Sequence, residues 1–340
     1  MKFIHIADVH WGARPEREQT FGRIREQEIK ETFQRVIDHA NKQQADLLLI
    51  AGDLFDQPPT QQELREVDYL LSRLNHTRTV LIAGNHDHLE PHDVFSQYKW
   101  NSEVYLLDGK QRDHISFEDL ETTIYGFSYW KNQITKPLYD RMKPDESESS
   151  DFSILLAHGG DESHIPIQRE ALKWSGFDYI ALGHIHKPMK VGSELYRYCG
   201  TPLACSVSEA QQQKGIIMVE MGVKGEVKTT ILPLEPLRQV KVVKGTLEEV
   251  LKESCKDYVT VILTDKADLD VIDMQERIRL AFPNLLEIRR ENQRKTDYTR
   301  TLQTEEFLDP YELCCSFLKD LDEEEKMILQ DVLHTVQGVK

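Results

Sequence analysis

Five short clusters of residues with ligating or titratable side chains recur in the first 186 residues of the chain: Asp8-Val-His10, Gly52-Asp53-Leu-Phe-Asp56, Gly84-Asn85-His86-Asp87, His158-Gly-Gly and Gly183-His184-Ile-His186. Carboxylate, imidazole and neutral amide together suit divalent ions such as Mn2+, Fe2+ or Zn2+, and the lack of cysteine among them disfavours a structural zinc site. The chemistry such a set supports is that of a two-metal hydrolase. Two cations about 3.5–4 Å apart can share a bridging carboxylate and a bridging water, lower the pKa of that water and offset charge on phosphate oxygens. Asn85 would ligate without adding negative charge, and His86 could hand a proton to a leaving oxygen. The glycine beside each ligand lets backbone and substrate approach closely.

The elements that must position these residues can be read around them. Lys2–Ala7, Asp46–Ala51 and Thr79–Ala83 are short apolar runs that predict buried strands. Between them, Gln27–Asn41 carries Ile29, Phe33, Val36, Ile37 and Ala40 on one helical face. A second helix runs from Thr60 to Leu74, opened by a Thr60/Glu63 capping box. Further strands are expected at Val104–Leu107, Thr122–Phe127, Ser153–Ala157 and Tyr179–Leu182. Every cluster thus lies just past the carboxyl end of a strand, the edge at which open α/β sheets bind ligands. From Met189 to Leu234, short alternating runs predict antiparallel hairpins closing a second sheet. Pro233 and Pro236 bracket a boundary. Beyond it, strands at Val240–Val243, Val259–Leu263 and Leu285–Arg289 alternate with helices at Thr246–Lys256 and Asp270–Phe282. Asn292–Glu305 reads as a linker, and two short helices follow Asp309-Pro310, with Leu313, Phe317, Leu318 and Leu321 on one and Met327, Ile328, Val332 and Val336 on the other.

Composition narrows the classes. The 340 residues include 42 Lys and Arg against 58 Asp and Glu, a net charge of −16 that argues against nonspecific coating of nucleic acid. The longest apolar runs fall far short of the roughly 20 residues of a membrane span, and Met1–Ala7 leads into Asp8 and His10 without the apolar stretch of a signal peptide. Five cysteines with no CxxC fit a reducing cytoplasm better than a disulfide framework. Two local basic groups stand out. Arg14, Arg17, Arg23 and Arg25 follow the first ligand pair, and Arg289, Arg290, Arg294, Lys295 and Arg300 surround the linker.

The order DxH, GDxxD, GNHD, HGG, GHIH resembles the calcineurin-like metallophosphoesterases over about residues 1–235. Within them the chain is most similar to the SbcD-type DNA-repair exonucleases, through KFIHIADVHWG, GDLFDQPPT, YCGTPLACSVSE and QQQKGIIMVE. The resemblance implies an α/β fold, a two-sheet αββα sandwich, followed by a small α+β capping domain and a C-terminal helical segment. It implies nuclease domain 1–235, capping domain 236–291, linker 292–308 and partner-docking helices 309–340. It implies that Asp8, His10, Asp53 and His186 hold one ion and Asp53, Asn85, His158 and His184 a second, with Asp53 bridging and manganese as the metal. His86 would be the proton donor or transition-state stabiliser, and Asp87 would orient it. Some relatives carry histidine at the position of Asp56 to steer exonuclease action, which puts Asp56 with Arg14 and Arg17 among the substrate-facing residues. DNA would be the substrate and an SbcC-like coiled-coil ATPase the partner, with a homodimer through residues 61–75 and 91–101. A small-molecule or cyclic-nucleotide phosphodiesterase of the same superfamily is the alternative, and it leaves the C-terminal hundred residues without a use.

Overall fold

Leu47–Ala51 has no polar side chain to offer to water, and the strand it forms is buried at every residue, as a parallel strand covered on both faces must be. It is β2 of a first sheet ordered β12 (Val227–Pro233), β11 (Gly215–Met221), β1 (Lys2–Ile6), β2 (Leu47–Ala51), β3 (Arg78–Ile82), β4 (Val104–Leu106). Strands β1 to β4 are parallel, and β11 runs antiparallel to both β1 and β12. The structure, a computed structural model, describes residues 1–291 other than 16, 17, 111, 146, 148, 149, 205, 211, 224, 225 and 266–270, together with 325–329, 332 and 333.

A second sheet has the order β5 (Asp113–Phe117), β6 (Thr122–Gly126), β7 (Phe152–His158), β8 (Tyr179–Gly183), β10 (Tyr196–Tyr198), β9 (Met189–Lys190), with β6, β7, β8 and β10 parallel. The two sheets share one apolar layer, in which Phe3, Leu49, Val80 and Ile82 meet Ile124, Ile154, Leu156 and Ala181. The outer face of the first sheet is covered by α1 (Gly22–Gln43) and α2 (Gln61–Leu71), through Ile29, Phe33, Val36, Leu64 and Val67. The outer face of the second packs against Tyr139, Phe177 and Leu172, the last from α3 (Arg169–Lys173). This is the expected αββα sandwich.

A third sheet, β13 (Val240–Gly245), β14 (Tyr258–Leu263) and β15 (Leu285–Arg290), carries α4 (Leu247–Val250) and α5 (Val271–Ala281) on a core of Leu247, Val250, Val261, Met274 and Ile278. Residues 1–289 make one compact unit and 290–340 a second. Within the second, residues 325–329, 332 and 333 are helical, and Met327, Ile328 and Val332 are exposed. The linker 292–308, the helix expected after Asp309-Pro310 and the basic residues Arg294, Lys295 and Arg300 lie outside the described residues. No helix among the described residues is long and apolar enough to cross a membrane.

Three expectations change. The β11–β12 hairpin extends the first sheet at β1 rather than the second, to which only β9 and β10 belong. Strand β5 was not foreseen; it pairs antiparallel with β6 at the edge of the second sheet. The helix expected over Thr246–Lys256 stops at Val250, because beyond Leu251 the residues Lys252, Glu253 and Ser254 offer the core nothing to bury. The Thr60/Glu63 capping box is present.

One buried carboxylate secures α2 to the loop that feeds β4. Asp68 accepts hydrogen bonds from Tyr98 Oη (3.1 Å), Asn101 N (3.1 Å), Asn101 Nδ2 (2.7 Å) and Ser102 Oγ (3.1 Å). Asp68→Ala strands those donors, and urea denaturation should show a loss of about 2–4 kcal/mol; an unchanged midpoint would remove Asp68 as the tie.

Candidate metal centre

The five clusters leave β1, β2, β3, β7 and β8 at their carboxyl ends, on one edge of the sandwich. Their backbones are interlocked: Asp8 N donates to Gly52 O (3.1 Å), His10 N to Asp53 O (3.1 Å) and Trp11 N to Leu54 O (2.8 Å). Asp8, His10, Asp53 and His184 all adopt positive φ, at 54°, 51°, 50° and 96°. Left-handed backbone at a non-glycine residue costs about 1–3 kcal/mol and gathers where side chains must be aimed rather than relaxed. Gly84 is dictated by space, since a Cβ there would sit 2.2 Å from Asp53 Oδ1 and 2.8 Å from His158 Nε2. A Cβ on Gly52, itself at φ +90°, would come within 2.3 Å of His158 Nδ1.

The side chains converge in two groups that meet at Asp53. In the first, Asp8, His10 and His186 bring ligand atoms within 4.8 Å of one another, and His10 Nε2 lies 3.2 Å from His186 Nε2. In the second, His158 Nε2 is 3.2 Å from Asp53 Oδ2 and 3.0 Å from Asn85 Oδ1, while His184 Nδ1 is 3.1 Å from the same amide oxygen. The tautomer of His158 is set by its other nitrogen, whose N–H donates to Ala51 O (2.9 Å). In the neutral ring Nε2 is therefore a lone pair facing two oxygens, and three acceptors share no proton. Each group could hold a cation; Asp8, His10 and His186 come together in one and Asp53, Asn85, His158 and His184 in the other, while Asp53 also shares a cluster with His10 and His86. The same field acts on protons. Burial opposes charge on His158, but the Asp53 carboxylate beside it prevails and pushes its pKa up to about 9. Asp53 is driven down despite its burial by His158, which bonds it.

Three of the imidazoles have a carboxylate behind them. His184 Nε2 donates to Asp161 Oδ2 (2.6 Å), which also receives His164 Nδ1 at 2.9 Å. Asp56 Oδ1 lies 3.3 Å from His10 Nδ1, and Glu209 Oε1 lies 3.5 Å from His186 Nδ1. Such outer partners fix tautomer and ring orientation. Three buried tyrosines clamp the His158-Gly159 backbone: Tyr139 Oη accepts from His158 N (3.0 Å), Tyr129 Oη donates to His158 O (3.0 Å) and Tyr198 Oη to Gly159 O (2.9 Å). Of these partners the sequence points to Asp56 alone, and there as a substrate-facing residue. Asp161 directly follows the His158-Gly-Gly cluster, the one signal that could have flagged it.

His10, Ala13, Arg14, Pro15, Asp56, His86 and His186 line an open cleft of about 310 Å³ over the first group. His86 is exposed there and donates from Nδ1 to Asp56 O (2.9 Å). The role expected for Asp87 is corrected. Its oxygens accept from the backbone N–H groups of Gly84 (2.6 Å) and Phe55 (3.1 Å), so it ties two cluster loops together, and Asp56 is what orients His86. Burial and the Asp53 charge push the Asp87 pKa up to about 7. Arg14 stands at the cleft rim, paired with Glu26 at 2.9 Å; Arg17 lies outside the described residues. His5 and His88 are turned elsewhere, His5 Nδ1 to Tyr179 Oη (3.1 Å) and His88 Nδ1 to Asn85 O (3.1 Å).

Two outcomes follow from this geometry. The His158 pKa in the folded, metal-free chain lies above its unfolded value, so its protonation adds stability that is fully present below about pH 6.5 and is lost as pH rises through about 9. An ion must displace that proton. Mn2+ titration of the metal-free chain at pH 7, followed calorimetrically in buffers of different ionisation enthalpy, should release about one proton from this site, and affinity should rise with pH up to about 9; binding without proton release would contradict the assignment. Gly84→Ala should weaken Mn2+ binding by about 10–100-fold, with the circular dichroism spectrum unchanged.

Residues 1–188 match the family described as calcineurin-like phosphoesterase, and residues 234–321 match SbcD_C, described as type 5 capsule protein repressor C-terminal domain. A protein of Staphylococcus epidermidis, named as the SbcD component of nuclease SbcCD, is 26% identical over 322 residues, covering 84% of each chain. One of the same name from Staphylococcus saprophyticus is 27% identical over 286 residues, 74% of each chain. The uncharacterized metallophosphoesterase YhaO of Bacillus subtilis is 32% identical over 213 residues, 57% of this chain and 50% of that protein. With more than half of its length matched by the first family, and with the acceptor-lined centre at the strand ends, the chain belongs to the calcineurin-like phosphoesterases.

Proposed function

We propose that the chain is a DNA exonuclease and endonuclease, the phosphodiesterase component of a cytoplasmic SbcCD-like repair complex, working with two divalent ions, Mn2+ ahead of Fe2+ or Zn2+. The observation that carries the choice of substrate is the extent of the likeness. A relative named as the SbcD component of nuclease SbcCD matches along 84% of this chain, well past the phosphoesterase region. In this reading residues 1–235 form the nuclease domain, 236–291 the capping domain, 292–308 a linker and 309–340 the helices that dock on a coiled-coil ATPase. The exposed Met327, Ile328 and Val332 fit such docking. Residues 61–75 and 91–101 are the candidate face for a second copy.

Asp8, His10, Asp53 and His186 would hold one ion, and Asp53, Asn85, His158 and His184 the other. Bound there, the ions supply positive charge for the phosphate oxygens and an acidified water. The chain's residues do the rest. Because Asp56 O takes the Nδ1 proton of His86, Nε2 is the nitrogen left to carry a proton to the leaving oxygen. The backbone N–H of His86 in turn bonds Asp53 Oδ1 (2.9 Å), which keeps the proton carrier in register with the Asp53 carboxylate. Arg14 at the rim offers a guanidinium to a backbone phosphate, a contact that positions without reading sequence. With a net charge of −16, binding of DNA by the isolated chain should be modest and salt-sensitive.

The test is Mn2+-dependent cleavage of end-labelled single- and double-stranded DNA, beside cyclic nucleotides, by wild type and His86→Ala. DNA cleavage is expected, falling about 10²–10⁴-fold in the variant while DNA binding is retained. Turnover of cyclic nucleotides without DNA cleavage would replace this reading with that of a small phosphodiesterase, and loss of DNA binding in the variant would give His86 an architectural role.

A further inference from the structure

Past β10 the chain turns back beneath His186 and carries a buried ion pair that the reaction does not use directly. Glu209 and Lys214 have side chains only 5% and 4% exposed and lie 2.6 Å apart, Oε2 to Nζ. The Lys214 ammonium, with three protons to share among its neighbours, also lies within hydrogen-bonding distance of Thr201 Oγ1 (2.7 Å), Gln212 Oε1 (3.0 Å) and His186 O (2.8 Å). The second oxygen of Glu209, Oε1, accepts from Ser206 Oγ (2.9 Å) and lies 3.5 Å from His186 Nδ1. One end of the pair therefore grips the backbone of His186 and the other faces its ring. Thr201 N–H adds a further bond to His186 O (3.2 Å), and a Cβ on Gly200 would come within 2.7 Å of that same oxygen.

A buried pair of this kind adds little net stability, because taking two charges out of water costs several kcal/mol per ion and their attraction only offsets it. What it supplies is direction. A carboxylate behind Nδ1 favours the tautomer with the proton on that side, which leaves Nε2 as a lone pair turned toward His10 Nε2, 3.2 Å away. The segment is braced from its far side too. Ala204 and Ala210 pack with Phe21, Val240 and Tyr258, and Glu28 on α1 accepts from Tyr258 Oη (2.9 Å) and pairs with Arg238.

We infer that Glu209 and Lys214 are positioning residues for His186 and thereby set the affinity of the centre for the ion that Asp8, His10 and His186 face. The inference rests on the metal-centre reading above. Removing one partner would leave the other charged and buried, so the informative variant removes both at similar volume: Glu209→Leu with Lys214→Met. Calorimetric titration of Mn2+ into the metal-free full chain should give two ions in wild type. In the double variant, with its melting temperature retained, one ion should bind about 10–100-fold more weakly and the other as before. A folded double variant with both affinities unchanged overturns the inference alone. Failure of wild type to take up Mn2+ overturns the metal reading and the inference with it. A second measurement needs no variant: in the metal-free wild type, ¹⁵N spectra of the imidazoles should show His186 protonated at Nδ1, and an Nε2-protonated ring would overturn the assignment even if the double variant did not fold.

Discussion

Acceptor atoms crowd together at the strand ends and need positive charge among them, which in the metal-free chain a proton on His158 supplies. His158 Nε2 faces Asp53 Oδ2 and Asn85 Oδ1 at 3.2 and 3.0 Å, and His10 and His186 turn Nε2 atoms toward each other at 3.2 Å. In water such groups would move apart; here His158, Asp53, Asn85 and His10 are buried, and only His186 is partly open to solvent. The arrangement is costly unless positive charge is supplied, and much of the surrounding structure serves to impose it. Glycine at 52 and 84 lets β2 and β3 close on His158, and the tyrosine clamp holds that residue's backbone from behind. The carboxylates of Asp161, Asp56 and Glu209 stand behind His184, His10 and His186 at 2.6, 3.3 and 3.5 Å.

The sandwich beneath is the means of bringing distant residues into that contact. Sheet one delivers Asp8, His10, Asp53 and Asn85, and sheet two delivers His158, His184 and His186, so the inter-sheet layer of Phe3, Leu49, Val80, Ile154 and Ala181 sets the distance between the two halves of the centre. A shift of one sheet against the other would separate Asp53 from His158 before it exposed much apolar surface. The geometry of the centre is therefore a sensitive consequence of how the core packs.

The parts legible in the sequence were those written locally. Runs such as Leu47–Ala51 declare a strand, Thr60 and Glu63 declare a helix start, and the clusters declare their chemistry through residue type. The parts that were not legible depend on partners far along the chain. Whether the β11–β12 hairpin joins β1 or the second sheet is decided by tertiary contact, since both edges can pair. Helix α1 begins at Gly22 rather than near Gln27 because Phe21 and Arg25 pack against Tyr258, more than 200 residues away. The holders of the imidazoles were hidden for the same reason. Glu209 and Lys214 look like ordinary surface charges in a polar segment, and only the return of the chain beneath His186 buries them. The role that the resemblance implies for Asp87 does not hold because its oxygens are taken by the backbone N–H groups of Gly84 and Phe55.

The left-handed backbone at Asp8, His10, Asp53 and His184 has a consequence beyond chemistry. Strain there burdens the metal-free fold, whereas ion binding would lower the free energy of the folded chain alone, by an amount that grows with free ion concentration. Two pools of the same polypeptide, one in a metal-replete cell and one in a starved cell, would therefore differ in how often they open and how readily proteases find them. The folded population of this chain would then rise and fall with the divalent metal around it.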